Sequence, residues 1–266
     1  MLALLSGCSS DKKAAAPPKA GTLAHSWYTA GKAYESGDYP RAMQQLSQLA
    51  AKNSEYRERA RYWLVVVAGG VADGYVELSN AYDTGSRLNR VVSSEYRKQM
   101  HDVRNVANAA ALQFAEAVHD ILDKNKDPKF AFDFAFPAGS MAEPLPMTRL
   151  NRGFAVQPAD HQALRQSMAQ RGVVKFAAAL AGAPGDQAKA AAQFANPSRD
   201  AVLTAIAQNL IAAANLYDHG KLDMPRRGNA LCRTAMEALA LVPDSKERKQ
   251  LESKAKEELK KFKVEA

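Results

Sequence analysis

The apolar residues that follow Leu23 recur every three or four positions, and this period restricts the fold more than any other feature of the chain. The clearest stretch runs from about Ser94 to Asp123, where one helical face would carry Tyr96, Met100, Val103, Ala107, Ala110, Phe114, Val118 and Ile121. A helix with an apolar face has to bury that face against neighbouring elements. We therefore predict a single all-α domain over residues 23–266.

The stretch from Tyr56 to Tyr82 leaves two structures open. Val65-Val66-Val67 suits a buried strand, but a convincing partner strand is not evident nearby, so a helix is favoured. Gly69, Gly70 and Gly74 interrupt the apolar pattern. In a helix they would either allow another helix to cross closely or mark a break.

Between Trp27 and Ala50 the pattern predicts two short helices joined by a Gly-Asp-Tyr turn. Gly37 suits a left-handed turn position, and Pro40 falls in the first helical turn, where its missing N–H does no harm. This segment resembles a tetratricopeptide (TPR) unit, in which antiparallel helices pack through small residues and an aromatic wedge. The resemblance assigns packing roles to Trp27, Ala30, Tyr34, Gly37, Tyr39 and Ala42.

A second, degenerate unit is predicted towards the C-terminal end. Asn196-Pro197 would cap and begin a helix that Gly220 ends, and a helix from Pro225 closes in an Ala-Leu-x-Leu-x-Pro pattern similar to a TPR exit. The last helix, about Ser245 to Phe262, is mostly charged and suits a solubilising cap. We expect TPR-like antiparallel hairpins packed as a short α-superhelix or as an irregular helical bundle.

The first ten residues carry the strongest functional signal. Leu5-Ser6-Gly7-Cys8 resembles the lipobox of bacterial lipoproteins, in which small residues precede the cysteine that receives the lipid. The resemblance implies that residues 1–7 are the remnant of a signal peptide and that acyl chains on Cys8 hold the protein on a membrane. Ser9, where Asp could stand, is similar to lipoproteins sent to the outer membrane. The expected location is the bacterial cell envelope, on the outer membrane facing the periplasm.

Residues 8–22 are small, polar and rich in Pro, without apolar periodicity. Such a segment buries too little apolar surface to offset the entropy of ordering it. We therefore predict a disordered, lipidated linker between Cys8 and the helical domain.

An alternating segment follows the long central helix. Phe130, Phe132, Phe134 and Phe136 are separated by Ala131, Asp133 and Ala135, so an extended chain would turn all four rings to one side. Two interpretations stay open: a connector whose rings plug into the helical core, or an edge that binds lipid or a partner.

The residues from Pro137 to Pro158, with Pro144 and Pro146 among them, predict a long loop. Long loops within compact domains are uncommon and are often functional. Arg149 and Arg152 are the candidate anion contacts there, and together with the four phenylalanines they make up the candidate partner or ligand surface.

The chain lacks the sequence motifs of the common catalytic and cofactor-binding sites. The histidines lack metal-ligand spacing, phosphate-binding and dinucleotide-binding glycine patterns are missing, and Cys232 is expected to be a buried thiol. The net charge is +8, but the densest basic stretch, Lys246 to Lys263, is interleaved with Glu, which argues against a nucleic-acid partner. We expect no cofactor, no metal and no enzymatic activity.

These features favour a lipid-anchored interaction or assembly module whose partners are other envelope proteins. An alternative is a ligand-binding accessory of a transport system, similar in layout to the TPR-containing lipoproteins that accompany TRAP transporters. A cell-wall hydrolase is less favoured. A shallow groove with exposed aromatics would favour the interaction module. A deep pore lined by Phe130–Phe136 would favour the transport accessory. A cleft in which a carboxylate faces a histidine would favour the hydrolase.

Overall fold

The computed structural model describes residues 17–262, and every regular element in that range is helical. The ten α-helices are α1 (Leu23–Glu35), α2 (Tyr39–Ala51), α3 (Arg57–Leu88), α4 (Ser93–Lys124), α5 (Leu145–Asn151), α6 (Asp160–Leu180), α7 (Gln187–Gln193), α8 (Arg199–Ala214), α9 (Pro225–Ala240) and α10 (Lys246–Lys261). They pack as a bundle, which confirms the all-α prediction.

The predicted signal remnant, Cys8 and most of the predicted linker lie outside the described residues. Within residues 17–262, the helices are all too short or too polar to cross a membrane.

The centre of the bundle is the antiparallel pair α3 and α4, each 32 residues long. The predicted helix over 94–123 is confirmed as α4. Val65, Val66 and Val67 lie fully buried within α3, so the strand alternative is wrong. Helix α3 also continues through Gly69 and Gly70 without a break.

Helix α6 crosses α3 at close range, and glycines make that approach possible. A Cβ atom at Gly70 would lie 2.4 Å from the Cα of Val173, and one at Gly74 would lie 2.1 Å from the carbonyl oxygen of Met168. On the facing helix, a Cβ at Gly172 would lie 2.1 Å from the carbonyl oxygen of Gly70. The close-crossing interpretation of the α3 glycines is confirmed.

Helices α1 and α2 form the hairpin expected from the Gly-Asp-Tyr turn. Gly37 has a φ of +75°, its N–H donates to the carbonyl of Tyr34 at 3.0 Å, and the N–H of Asp38 donates to the carbonyl of Ala33 at 2.8 Å. These are the two bonds of a Schellman C-cap. Ala30, Tyr34, Tyr39 and Ala42 are buried in this hairpin.

The C-terminal helices were located well by their sequence, apart from the start of α8. That helix begins at Arg199 after Ser198, so the predicted start at Asn196-Pro197 is early. Helices α9 and α10 occupy the predicted positions. The side-chain amide of Asn209 donates to the carbonyl of Gly69 at 3.3 Å and so attaches α8 to the centre of α3.

The prediction of an uninterrupted loop from Pro137 to Pro158 is wrong, because α5 lies within it. Pro144 is the residue that precedes the helix, and Pro146 stands in its first turn, where proline is compatible with a helix. The side chains of Met147 and Leu150 are buried. The prolines therefore mark a helix start here and not a loop.

Candidate functional site

The Phe-rich segment is extended and inserts its rings into the core. Phe130 and Phe132 are only 6% and 4% exposed, and Phe134 and Phe136 are half-buried. Ala131, Asp133 and Ala135, between them, are exposed. The predicted alternation is confirmed, and the packing is that of a connector. An exposed binding edge is the wrong interpretation for Phe130 and Phe132, because their rings are covered by protein.

Trp63 of α3 is the centre of the aromatic cluster that receives these rings. Its ring centroid lies 4.4 Å from that of Phe134, 4.9 Å from Tyr34 and 5.6 Å from Phe132. Phe132 in turn stacks on Phe194 at 4.8 Å. These rings fill the space in which a pore lined by the Phe-rich segment would have to run.

Arg149 and Arg152 are exposed and lie far from the phenylalanines. Both are at the C-terminal end of α5, and the carbonyl of Leu150 lies against Gly85 near the end of α3. Because Trp63 and Gly85 are 22 positions apart on one helix, the two groups are separated by about 33 Å along α3. The candidate surface proposed from sequence is therefore two separate regions.

An open groove lies between α6 and α8. Three neighbouring depressions form it, the middle one sharing lining residues with each of the others and having a volume of about 440 Å³. Its small lining residues are Ala179, Gly182, Pro184, Ala201, Ala205 and Ala212. From Ala201 to Ala212 the groove follows about 17 Å of α8.

Polar side chains at the middle of this groove are available to a ligand. Thr204 and Gln208 lie one helical turn apart on α8 and line the groove. Gln208 is exposed, and neither side chain is hydrogen-bonded to another described residue. A Gln amide can donate to and accept from a peptide backbone at once. Phe176, which lines the groove, is buried, so it does not supply the exposed aromatic surface that would favour the interaction module.

Asp73 and Lys175 line one end of the groove, and Glu77 and Arg171 lie next to them. Lys175 lies 3.3 Å from the Glu77 carboxylate and 3.6 Å from that of Asp73, and Arg171 pairs with Glu77. Burial raises the pKa of the Asp73 carboxyl, and Lys175 and Arg171 lower it by less. Charged groups with a shifted pKa at the end of a concave region are a frequent feature of functional sites.

A carboxylate also faces a histidine, in a depression between α4 and α9. The Nδ1 atom of His119 lies 3.7 Å from a carboxylate oxygen of Glu237, and the two side chains are 61% and 54% exposed. That separation is too long for a hydrogen bond, and water screens a pair that is so exposed. The depression is also without a Ser, Thr or Cys nucleophile. The geometry of this pair therefore gives no specific support to a catalytic role.

Cys232 is fully buried, as expected, and burial raises the pKa of its thiol to about 12. A thiol in that state is a poor nucleophile. Among residues 17–262, His, Cys, Asp and Glu side chains do not gather in a group of three that could hold a metal ion.

The groove residues were missed by the sequence analysis. Asp73, Lys175 and Gln208 belong to three different helices and follow no motif, and only the crossing of α3 and α6 brings the first two together. The sequence around each of these residues is typical of an ordinary helix surface, so no local pattern would have identified them as part of a site.

No family model, curated protein or solved structure matches the chain.

Proposed function

We propose that this chain is a lipid-anchored interaction module of the bacterial cell envelope, and that the α6–α8 groove binds an extended segment of a partner protein. The observation that carries the binding role is the groove itself: a channel about 17 Å long, with small residues in its lining and an unpaired amide at its middle. At about 3.3 Å per residue, an extended segment of about five residues spans it.

The shape and chemistry of the groove suit a peptide backbone better than a compact small molecule. Small side chains such as Ala205 let a main chain approach closely, and Gln208 can pair with its amide groups. Asp73 and Lys175 place a carboxylate and an ammonium group at one end of the groove, so a charged residue of the bound segment can pair with one of them.

The lipid anchor in this proposal rests on Leu5-Ser6-Gly7-Cys8 and on the polar linker after it. Two or more acyl chains on Cys8 would hold the domain stably at a membrane, since each buried methylene contributes about 0.8 kcal/mol. The linker, up to residue 22, would let the domain move about 50 Å from that surface at full extension.

The groove is tested with a displayed library of random heptapeptides selected on the purified full chain. The affinity of selected peptides is then measured by fluorescence anisotropy for the parent and two variants. Gln208→Arg fills the middle of the groove and is expected to weaken binding at least tenfold. Gln44→Arg makes the same change on an exposed position of α2 and should leave affinity unchanged. Failure to select any peptide, or equal binding by Gln208→Arg, contradicts the proposal.

The anchor is tested separately in a Gram-negative host, with the chain expressed behind its own upstream sequence. We expect radiolabelled fatty acid in the wild-type protein, with the protein in the outer-membrane fraction. Cys8→Ala should lose the label and appear in the soluble fraction. A wild-type protein that takes up no lipid overturns the location but leaves the peptide-binding test untouched.

The observations for the two alternative functions are weaker than the groove. A transport accessory with a pore along the Phe-rich segment would need the space that Trp63 and Phe194 occupy. A hydrolase would need the His119–Glu237 pair to lie within hydrogen-bond distance, beside a bound substrate and the water that attacks it.

A further inference from the structure

The far end of the α3–α4 hairpin combines exposed apolar side chains with unpaired arginines. Val91, in the turn between the two helices, is 92% exposed, Leu88 is 61% exposed and Phe154 is 57% exposed. Arg90, Arg149 and Arg152 are exposed around them. We refer to these six residues as the basic apolar pole.

The pole is built from two copies of one tetrapeptide. Arg-Leu-Asn-Arg occurs at 87–90, at the end of α3, and again at 149–152, at the end of α5. The amide of Asn89 donates to the carbonyl of Gly153 at 3.0 Å, and a Cβ at Gly153 would lie 2.7 Å from the Cβ of Leu88. The fold therefore places the two copies side by side.

This end of the molecule has a net positive charge. Residues 83–98 and 143–157 together contain six basic side chains and three acidic ones, Asp83, Glu95 and Glu143. Glu143 accepts hydrogen bonds from Thr148 and Asn151. Of the six, Arg87 is paired with Asp83 at 2.8 Å. Arg90, Arg149 and Arg152 form no ion pair with the described residues. A basic residue in the last turn of a helix is favourable by itself, but that does not account for the exposed apolar side chains beside it.

Phe154 is held in its exposed position by a buried tyrosine. The hydroxyl of Tyr96 donates to the carbonyl of Phe154 at 3.1 Å and accepts the N–H of Val156 at 2.8 Å. Gly153, with a φ of +74°, makes the turn that directs the chain there. The backbone is thus hydrogen-bonded at Phe154 and at Val156, and these bonds hold the main chain that carries the exposed ring.

We propose that the basic apolar pole binds the surface of a membrane that contains anionic phospholipid. The arginines would contact lipid phosphates, for which the guanidinium is well shaped, and Phe154, Val91 and Leu88 would enter the interface between head groups and acyl chains. A hairpin turn is convex, so its apolar tip suits a deformable surface. An acidic protein or nucleic acid would satisfy the arginines and leave the tip in water. This binding site is independent of both the groove and the acyl chains.

The test uses the full chain with Cys8→Ser, so that acyl chains cannot contribute. Cosedimentation is measured with vesicles of phosphatidylcholine alone and of phosphatidylcholine mixed with phosphatidylglycerol. We expect binding to the mixed vesicles only, weakening as salt is raised. The triple variant Arg90→Gln, Arg149→Gln, Arg152→Gln should bind about 100-fold more weakly.

A matched triple variant controls for net charge. Lys246→Gln, Lys254→Gln and Lys256→Gln remove the same charge from exposed, unpaired positions of α10, and binding should change less than about threefold. Insertion is read separately from Phe154→Trp, whose emission brominated phospholipid should quench. The parent protein reports the background from Trp27 and Trp63.

The proposal is overturned if the protein does not bind the mixed vesicles, if the lysine and arginine triple variants lose binding equally, or if brominated phospholipid does not quench the emission of Phe154→Trp. It is also overturned if a nucleic acid duplex binds more tightly than the vesicles through the same three arginines. Loss of binding confined to the arginine triple, together with quenching at 154, supports it.

Discussion

Asp73 shows how burial and neighbouring cations oppose each other at one residue. Its carboxyl lies beside Lys175 and Arg171, but burial has the larger effect and raises its pKa above the ordinary value of 3.8. The ionised form is therefore less favourable in the folded protein than in the unfolded chain. Such a group contributes its full stability below its unfolded pKa, and that contribution is lost as the pH rises through its folded pKa.

We predict that Asp73→Asn gains stability relative to wild type as the pH is raised from about 4 to 7. Urea unfolding over that range measures the difference in the free energy of unfolding. Asp244→Asn should show the opposite sign, and below that range: because a hydrogen bond with Lys249 lowers the pKa of Asp244, this variant should gain stability relative to wild type as the pH falls below about 4. If Asp73→Asn instead loses stability relative to wild type as the pH rises, the two cations affect the pKa of Asp73 more than burial does.

Cys232 provides a second prediction for a single residue. Because its thiol is buried and its pKa is raised to about 12, the native protein with Cys8→Ser should react with an aromatic disulfide reagent at least about 10³-fold more slowly than a free thiol. After unfolding in guanidinium, one thiol should react at once. Rapid reaction of the native protein would show that the region around α9 opens readily.

At the scale of helices, the α3–α6 crossing depends on the absence of a side chain. We predict that Gly172→Ala destabilises the protein by about 3 kcal/mol, although alanine favours a helix by about 1 kcal/mol, because its Cβ would meet the carbonyl of Gly70. Denaturant unfolding measures the change.

Gly31→Ala is the matched control, because it too lies within a helix. The closest atom to its Cβ would be a ring carbon of Phe134 at 3.3 Å, which belongs to a side chain that can shift slightly. A change within about 1 kcal/mol is expected there. Equal effects of the two substitutions would mean that the crossing tolerates a methyl group.

At the scale of the whole molecule, the Phe-rich segment connects parts of the chain that are distant in sequence. Tyr34 of α1 donates to the carbonyl of Ala135 at 3.0 Å, and the N–H of Phe132 donates to the carbonyl of Ala195 at 3.3 Å. Together with the stacking on Phe194, these bonds tie the α1–α2 hairpin to the region between α7 and α8.

We predict that Phe132→Ala costs about 3–4 kcal/mol and increases hydrogen exchange in α1 and α7 together. Ala131→Ser, on the exposed side of the same segment, should change stability by less than about 0.5 kcal/mol. Faster exchange restricted to the segment itself would show that it does not hold the two regions together.

Helix positions could be predicted because their causes are local. The apolar period of α4, the turn at Gly37 and the charged stripe of α10 each act within a few residues of one another. The prediction was wrong where one local sequence pattern is compatible with two structures. Pro144 and Pro146 are as compatible with a helix start as with a loop, and the buried face of α5 decided between them.

The amino-acid sequence by itself determined that the chain is helical and located α1, α2, α4, α9 and α10, because backbone hydrogen bonds and caps in a helix join near neighbours. It did not predict α6, which forms both the close crossing and the groove. Only the tertiary structure decided which surfaces remain open. The α6–α8 groove and the basic apolar pole both join residues that are tens of positions apart, and their geometry depends on how helices cross. The pairing of helix faces is settled by the fit of many side chains at once, which periodicity along one chain does not encode.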